Sequence, residues 1–400
     1  MKLRILQISL KPPLPAIDGG CIAINAITQG LLKAGHYVKV FTIATAKHPF
    51  LPEKLDHNYK KSTNIEAVFI DTSIRPWDAF VNLFTNKPYN VERFYSTEFK
   101  NKLIQILKEE TFDMVLLESI FVAPYISAIR ENTQAKIVLR AHNAEYQIWE
   151  RLASSASNFL KGTYQGLLAK KLKKYEKEVF GKIDGIAAIT SEDASLIRSM
   201  HPTVPILKLP LGIDTTYYPL PKTPKTSPTV FHLGAMNWEP NIEAMEWFLE
   251  KVWPIVLEKL PNAQFFMGGR NQPAKFLIGN FPNVTILQDI PSANDFFTEH
   301  DILVIPVISG GGMRVKLVEG MVMGKAIVTT KIGAEGVDGE NGVHFLIADD
   351  PIDFSKAIVT LLTSPNLCNQ LGINARIKAI ELFENTNLTQ KLTSFFVSLK

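Results

Sequence analysis

A glycine-rich segment in the second half of the chain has the residue types and spacing of an anion-binding turn. Gly310, Gly311 and Gly312 follow an apolar run of strand length, and an apolar pattern with helical spacing starts at Val315. Glycines permit a tight turn, and the free N–H groups at the start of a helix attract an anion. We therefore predict an anion site at this turn, with the alternative of a plain turn before a surface helix.

Charged side chains next to this turn would add to the backbone site. Arg314 and Lys316 would bring positive charge to the anion, and Met313 and Val315 would contribute backbone contacts. Glu319 lies further along the predicted helix, where its carboxylate could accept hydrogen bonds from vicinal hydroxyls such as those of a ribose. We predict catalytic roles for Arg314, Lys316 and Glu319. No Gly-Lys-Ser/Thr follows the glycines, so the segment is not the phosphate loop of an NTPase.

A second glycine turn lies near the start of the chain. Gly19 and Gly20 follow Asp18 and would let a ligand approach the backbone closely, although the spacing is not that of a GxGxxG motif. Asp18 is either a helix cap or a contact to the acceptor of a reaction. We place Gly19 and Gly20 among the candidate ligand-binding residues.

A third candidate site follows an apolar strand in the first half of the chain. His142 lies there with Arg140 and Glu145, where polar side chains would project from the end of the sheet. We predict that His142 is a catalytic residue that donates a hydrogen bond to a sugar hydroxyl, and that Arg140 or Glu145 sets its orientation. A structural role for this histidine is the alternative.

The alternation of apolar runs and helical patterns predicts the elements that position these residues. Parallel βαβ units account for this rhythm, which stops at a Pro- and Lys-rich stretch and then starts again. Predicted strands span residues 3–9, 37–44, 65–70, 114–117, 136–140, 185–188, 229–233, 264–268, 284–288, 302–306, 326–330 and 344–347. Helices are predicted at residues 21–34 and from near Asn241, Asn294, Val315 and Pro351.

These elements predict an α/β fold with two doubly wound, Rossmann-like domains that face each other across a cleft. We place the first domain at residues 1–217, a linker at 218–228 and the second domain at 229–384. Ligands of open parallel sheets bind at the carboxyl ends of the strands. We therefore expect the function to lie between the two domains.

Composition limits the class of protein. The chain has 400 residues, 46% of them hydrophobic, which is enough for two cores. No apolar run reaches the roughly 18 residues of a membrane helix, and the first residues resemble a strand more than a signal peptide, so we expect a cytoplasmic protein. Cys21 and Cys368 fit no metal-site spacing, which agrees with a reducing compartment. A net charge of +4 gives no reason to expect nucleic acid.

Charge is concentrated in one stretch, residues 161–182, where several lysines fall on a helical pattern. A solvated amphipathic helix explains this pattern, and contact with anionic lipid head groups at the inner face of a membrane is the alternative. The lysines are Lys170, Lys171, Lys173, Lys174 and Lys177.

These motifs together resemble the GT-B fold glycosyltransferases of the large retaining group known as family 4, or glycosyl transferases group 1. The resemblance covers nearly the whole chain. It rests on Asp18-Gly19-Gly20, on residues 140–145 and 210–214, and above all on residues 310–319 with 324–328 after them. The GGG-x-R-x-K-x-x-E donor motif at 310–319 is similar to that of one subgroup.

The resemblance implies a UDP- or GDP-sugar donor, whose sugar passes to an acceptor hydroxyl with retention of configuration. Backbone amides would bind the diphosphate, Glu319 the ribose, and a C-terminal helix at 385–400 would complete the first domain. No metal and no cofactor besides the donor are implied. The acceptor would be a carbohydrate or a lipid-linked molecule, as in the synthesis of cell-envelope polysaccharides.

Two departures from the family pattern concern the donor. Many members have a glutamate eight residues before Glu319 that contacts the donor sugar, and Gly311 stands there in this chain. The usual basic residues after Gly234 are also missing, so we expect Arg314 and Lys316 to neutralise the diphosphate. Gly234 and Asp289 complete the predicted donor contacts.

Other functions compete with this one. A nucleotide-sugar epimerase of the same fold would bind the same diphosphate, and a non-catalytic nucleotide-binding protein would keep the site without the reaction. A dinucleotide oxidoreductase is disfavoured, because neither half has a GxGxxG motif with an acidic residue downstream.

Overall fold

The computed structural model divides the chain into two compact units, Met1–Ile213 with Asn385–Lys400, and Asp214–Glu384. It describes residues 2–400 except 74, 76, 78–80, 83, 84, 86, 155–157, 219–226 and 311. Gly311 and most of the predicted linker 218–228 therefore lie outside the described residues.

The first unit contains a seven-stranded parallel sheet with the order β3-β2-β1-β4-β5-β6-β7. The strands in the middle of the sheet are mostly apolar and buried on both faces, as expected for a parallel sheet covered by helices. Chain order reverses between β1 and β4. The strands are β1 Arg4–Ser9, β2 Tyr37–Ala44, β3 Glu66–Phe69, β4 Met114–Leu117, β5 Lys136–Ala141, β6 Gly185–Ala188 and β7 Ile206–Lys208.

Helices pack on both faces of this sheet. One face carries a core that includes Phe99 and Leu103, and the other packs Ile27 against Leu392 of the C-terminal helix. The helices are Gly19–Lys33, His57–Thr63, Tyr89–Glu92, Thr97–Glu109, Ile126–Asn132, Glu145–Ser154, Phe159–Phe180, Ser191–Met200 and Asn385–Ser398, with 3₁₀ turns at Pro52–Lys54 and Ile120–Tyr125.

The C-terminal helix is held to the first unit by hydrogen bonds as well as by apolar packing. Asn385 Nδ2 donates to Ala26 O at 2.8 Å. A Cβ at Gly30 would lie 2.1 Å from Thr389 Oγ1, so only glycine permits this close approach of the two helices.

The second unit repeats this architecture with a six-stranded parallel sheet of order β10-β9-β8-β11-β12-β13. Chain order reverses between β8 and β11, and the glycine-rich turn follows β11. The strands are β8 Val230–Leu233, β9 Phe265–Gly269, β10 Val284–Gln288, β11 Ile302–Ile305, β12 Ala326–Thr329 and β13 Leu346–Ile347.

The helices of the second unit include the one that starts after the glycine-rich turn, Val315–Val322. Gly320 lets this helix pack closely on β11, because a Cβ there would lie 2.4 Å from Leu303 Cδ2. The others are Glu239–Trp247, a π-helical turn Phe248–Val252, Trp253–Lys259, Ala274–Leu277, Ala293–Glu299, Pro351–Thr363 and Pro365–Phe383, with a 3₁₀ turn at Thr215–Tyr217.

The predicted fold class, α/β with two doubly wound Rossmann-like domains, is confirmed. The predicted strands are present with shifts of one or two residues at their ends, and the three-residue β7 was not predicted. Of the helices in the described part of the chain, none combines the length and the apolar character needed to cross a bilayer.

Candidate functional site

The glycine-rich turn joins β11 to the helix Val315–Val322 through two residues in the left-handed region. Gly310 has φ +90° and Gly312 has φ +85°, conformations that favour glycine. Arg314 is the N-cap of the helix, and its side chain makes no capping hydrogen bond to the first turn. The side chain of the N-cap residue therefore does not occupy the N–H groups of the first turn.

Arg314 lies against an aromatic ring. Its guanidinium carbon is 5.2 Å from the ring centroid of Trp238, a cation–π distance. A Cβ at Gly310 would lie 3.4 Å from Trp238 Cζ2, so the indole also covers the turn. Trp238 is 38% exposed, whereas Trp253 is buried in the core.

Lys316 reaches back from the helix to two residues that sequence reasoning missed. Its Nζ donates to Asn241 Oδ1 at 2.9 Å and lies 3.2 Å from His232 Nε2. His232 is fully buried on β8, and its Nδ1 is 2.9 Å from Val304 O. Nδ1 must carry the proton to donate to this carbonyl, so Nε2 accepts a hydrogen bond from Lys316. His232 falls two residues before Gly234 on a predicted strand, a position that sequence reasoning did not consider.

Burial and charge control the protonation of this cluster. Burial lowers the pKa of Lys316 to about 7, the nearby charge of Arg314 adds to this effect, and the charge of Glu319 opposes it. Burial, together with the charge of Lys316, lowers the pKa of His232 well below its usual range. His232 is therefore neutral, and a bound anion would favour the charged form of Lys316.

Glu319 lies one turn after Lys316 on the same face of the helix, since side chains three residues apart are neighbours. Burial raises its pKa to about 7, against the effects of a hydrogen bond from Tyr218 and the charge of Lys316. The Tyr218 hydroxyl is 3.4 Å from Glu319 Oε1. The helix thus presents a cation and a carboxylate on one face, beginning at the turn.

Of the two remaining predicted donor residues, the structure brings one to this cluster. A Cβ at Gly234 would lie 2.8 Å from Lys316 Nζ, so glycine leaves room for that side chain. Asp289 is exposed after β10, which is an edge strand three positions from β11. At the usual spacing of neighbouring strands this is roughly 14 Å from the turn.

A buried network of charges lies at the carboxyl ends of β4 and β5 in the first unit. Glu118 and Arg140 are both fully buried, and Arg140 Nη1 donates to Glu118 Oε2 at 3.1 Å. Gln7 Nε2 donates to the other carboxylate oxygen at 2.7 Å. Burial opposes ionisation of Glu118, but Arg140 and His142 outweigh it and lower its pKa. Glu118 was missed from the sequence, although it directly follows an apolar strand.

The structure places His142 next to Glu118, with Nε2 3.2 Å from Glu118 Oε2. Burial lowers the pKa of His142, while the hydrogen bond to Glu118 opposes this effect. A neutral imidazole beside a carboxylate must donate from Nε2, which leaves Nδ1 as a hydrogen-bond acceptor. Glu118 therefore orients the ring, where we expected Arg140 or Glu145 to do so, and Nδ1 is left able to accept a hydrogen bond.

Glu145 belongs to a separate acidic cluster. Its side chain accepts a hydrogen bond from Asn143 Nδ2 at 3.4 Å, and its backbone N–H donates to Glu176 Oε1 at 2.9 Å. Burial and the charge of Asp193 raise the pKa of Glu145 to about 7, and burial and the charge of Glu145 raise the pKa of Glu176 to about 8. Glu176 therefore serves as a cap of the helix Glu145–Ser154.

Asp18 is the N-cap of the helix that begins at Gly19, and it accepts a hydrogen bond from Cys21 N at 3.0 Å. Gly20 is in the first turn of the same helix. Ligand atoms of Asp18, Cys21 and His48 lie within 4.8 Å of one another, a spacing suited to a metal ion. The Lys11 ammonium already binds both carboxylate oxygens, at 2.7 and 2.8 Å. Its positive charge disfavours a metal there, and Asp18 acts as a cap held by a cation.

Part of the second unit resembles a known family in sequence. Residues 227–364 match the family model of the glycosyl transferases group 1. An uncharacterised 44.6 kDa protein in a cps region of Klebsiella pneumoniae is 22% identical over 391 residues, which cover 93% of this chain and 94% of that protein.

Solved structures resemble the whole chain. Sucrose-phosphate synthase from Thermosynechococcus elongatus has a TM-score of 0.70 at 16% identity and covers 99% of both chains. The Anabaena protein HepE in complex with UDP has a TM-score of 0.67 at 12% identity, covering 99% of this chain and 100% of that one. The second unit is therefore similar in sequence to glycosyl transferases group 1, and the chain as a whole has the fold of the GT-B glycosyltransferases.

Proposed function

We propose that this protein is a glycosyltransferase that moves a sugar from a nucleoside-diphosphate donor to an acceptor hydroxyl. One observation carries the proposal: Lys316 and Glu319 share one face of a helix whose start follows a glycine turn. A nucleoside diphosphate carries a diphosphate that suits the cation of Lys316 and a ribose whose hydroxyls suit the carboxylate of Glu319. The match of residues 227–364 to glycosyl transferases group 1 supports the same activity.

The diphosphate would bind at the helix start. The N–H groups of the first turn and the helix dipole attract an anion there, and the cations of Arg314 and Lys316 add charge-assisted hydrogen bonds. Glu319 would accept hydrogen bonds from the ribose hydroxyls. The complexes of HepE with UDP and with UDP-glucose support a uridine donor, and GDP-sugars are the alternative.

Catalysis would come from stabilising the leaving group. The bond between the anomeric carbon and the diphosphate oxygen breaks, and negative charge grows on the diphosphate next to Lys316 and Arg314. A bond forms between the acceptor oxygen and the anomeric carbon, and the acceptor proton passes to the departing phosphate. The resemblance to retaining enzymes favours attack on the face that the leaving group vacates.

His142 would act on a substrate hydroxyl in the first unit. Glu118 fixes its Nε2–H, so Nδ1 is the atom that accepts a hydrogen bond from that hydroxyl. This role is one of positioning, because a neutral imidazole with a lowered pKa is a weak base.

The acceptor would be a carbohydrate or a lipid-linked molecule. The Klebsiella relative in a cps region supports a role in polysaccharide synthesis. We place the reaction in the cytoplasm at the inner face of a membrane, where exposed lysines of the helix Phe159–Phe180 would contact anionic lipid. Two buried free cysteines agree with a reducing compartment.

The test is to incubate the purified protein with a panel of UDP- and GDP-sugars, with and without candidate acceptors, and to follow both nucleotide and sugar. A glycosyltransferase releases nucleoside diphosphate in proportion to the glycoside formed, and NMR of the product shows the retained anomeric configuration. Conversion of one nucleotide sugar into another without acceptor would indicate an epimerase. Binding without turnover of any donor would indicate a non-catalytic protein.

A further inference from the structure

Two neutral side chains, those of Asn241 and His232, hold the ammonium of Lys316 in the candidate donor site. Lys316 Nζ bonds to Asn241 Oδ1 at 2.9 Å and to His232 Nε2 at 3.2 Å, from two different elements of the second unit. Both partners are themselves fixed, since Asn241 Nδ2 donates to Ala235 O at 2.8 Å and His232 Nδ1 lies 2.9 Å from Val304 O. Neither partner can turn away from Lys316 without losing its own hydrogen bond.

Both partners are also buried, His232 at 0% and Asn241 at 4% exposure. A buried ammonium ordinarily requires an anionic partner. Among the residues that the structure describes, the hydrogen bonds of Lys316 go to neutral acceptors, which satisfy its geometry and supply no negative charge. The ammonium has three N–H donors, and these two bonds use two of them.

The charged groups on the helix of Lys316 act in opposite directions, because the charge of Arg314 disfavours the ammonium and the charge of Glu319 favours it. Arg314 precedes Lys316 with a like charge, and Glu319 lies one turn further along its own helix. Glu243, on the helix that carries Asn241, is hydrogen-bonded to Ser309. His232 faces Lys316 from β8 and is neutral.

We infer that His232 and Asn241 are positioning residues that hold the Lys316 ammonium in place without supplying negative charge, so that the bound diphosphate becomes its counter-ion. This inference rests on the proposed function. It has a physical consequence, because a carboxylate in place of either partner would act as an internal counter-ion and compete with the ligand. Loss of either acceptor would instead make the charged form of Lys316 less stable.

The inference predicts opposite effects for two substitutions. Asn241→Asp supplies a carboxylate and should raise the pKa of Lys316 by a unit or more, while UDP affinity at pH 6.5 falls about tenfold. His232→Phe removes an acceptor and should lower that pKa further, so that UDP affinity declines at a lower pH than in the wild type. His232→Gln retains one acceptor and one donor and should restore the wild-type pH profile.

The experiment titrates the full chain by NMR of ¹³Cε-labelled lysine, with the Lys316 signal assigned by Lys316→Met, and measures UDP and GDP binding from pH 6 to 9. His300→Phe is the control, since His300 bonds to Thr229 before the start of β11, away from the glycine-rich turn. It should alter stability alone.

Midpoints that move in opposite directions for Asn241→Asp and His232→Phe would support the inference. Loss of stability in both variants with an unchanged Lys316 midpoint and an unchanged pH profile would overturn it, and would leave the two residues a structural role. If the wild type binds neither UDP nor GDP, the proposed function fails and the inference fails with it. If the wild type binds UDP and the midpoints do not move, the inference alone fails.

Discussion

The two units carry charged clusters at corresponding places, where the strand order of each sheet reverses, yet the clusters are built differently. In the first unit Arg140 and Glu118 are fully buried and neutralise each other. In the second, Lys316 is bonded to the neutral His232 and Asn241 and has the like charge of Arg314 nearby. Charges that satisfy one another make a rigid support. A cation among neutral partners has electrostatic energy to gain from an anionic ligand.

The sharpest way to test this contrast is to remove the two cations of the second unit. Arg314→Ala with Lys316→Ala should weaken UDP or GDP binding by about 100-fold or more, because each charge-assisted hydrogen bond contributes about 1.5–3 kcal/mol. The folded state should lose some stability as well, because Arg314 lies against Trp238 and Lys316 is hydrogen-bonded to buried acceptors.

Isothermal titration measures the affinity, and thermal unfolding measures the stability. Lys331→Ala is the control, since this lysine is 80% exposed in the same unit. Unchanged nucleotide affinity in the double variant would remove the proposed donor site.

Removing Glu118, the partner of Arg140 in the first unit, should affect mainly the stability of the protein and leave nucleotide affinity nearly unchanged. Glu118→Ala leaves Arg140 buried without its counter-charge and should lower the free energy of unfolding by about 3–5 kcal/mol. Nucleotide affinity should stay within about twofold, because the donor cluster lies in the other unit. Denaturant unfolding and titration with UDP measure the two quantities.

The matched control replaces both members of this pair. Glu118→Leu with Arg140→Met should be less destabilising than Glu118→Ala, because no unpaired charge is buried. A single variant as stable as the wild type would show that the network is not a structural support.

Replacing the carboxylate of Glu319 in the second unit should have a smaller effect on nucleotide binding than removing its two cations. Glu319→Gln should weaken UDP binding about tenfold and abolish the preference for UDP over 2′-deoxy-UDP, since a neutral amide is a weaker acceptor for the ribose hydroxyls. Because burial raises the pKa of Glu319 to about 7, its contribution should disappear as the pH falls below 7. Competition titrations at pH 6 and 8 check both points, and an equal preference in wild type and variant would contradict the assignment.

Replacing an exposed lysine should have the smallest effect of these changes. Lys174 is exposed on the helix Phe159–Phe180 and has water to solvate it. Lys174→Ala should weaken binding to vesicles that contain phosphatidylserine about fivefold, as expected for about 1 kcal/mol per lysine near an anionic surface. Vesicle sedimentation at low and physiological salt measures this change, and an equal affinity for neutral vesicles would argue against membrane contact.

The sequence predicted the fold from features that are local along the chain. Continuous apolar runs such as Met114–Leu117 are typical of buried strands of a parallel sheet, and the glycines at 310 and 312 indicate a turn that other residues disfavour. The helix start at Val315 followed from the spacing of its apolar residues. These predictions needed no knowledge of which strands are neighbours.

Partners across the sheet were harder to predict, because they depend on strand order. The rule that identified His142, a polar residue after a buried strand, applies equally to Glu118, but nothing local pairs the two. Asp289, which we predicted as a donor contact, follows a strand that the observed order places at an edge of the sheet. His232 was missed because a buried histidine on a strand gives no local sign of a lysine that lies 84 positions away.

The central claim is that residues 310–319 bind the diphosphate and ribose of a nucleotide. The most direct measurement is a crystal structure of the full chain after soaking with UDP or GDP. We expect phosphate oxygens at about 3 Å from backbone N–H groups at the start of the helix Val315–Val322 and from Lys316 Nζ, with the ribose hydroxyls on Glu319. A nucleotide bound away from this turn, or N–H groups that point away from the bound phosphates, would contradict the claim.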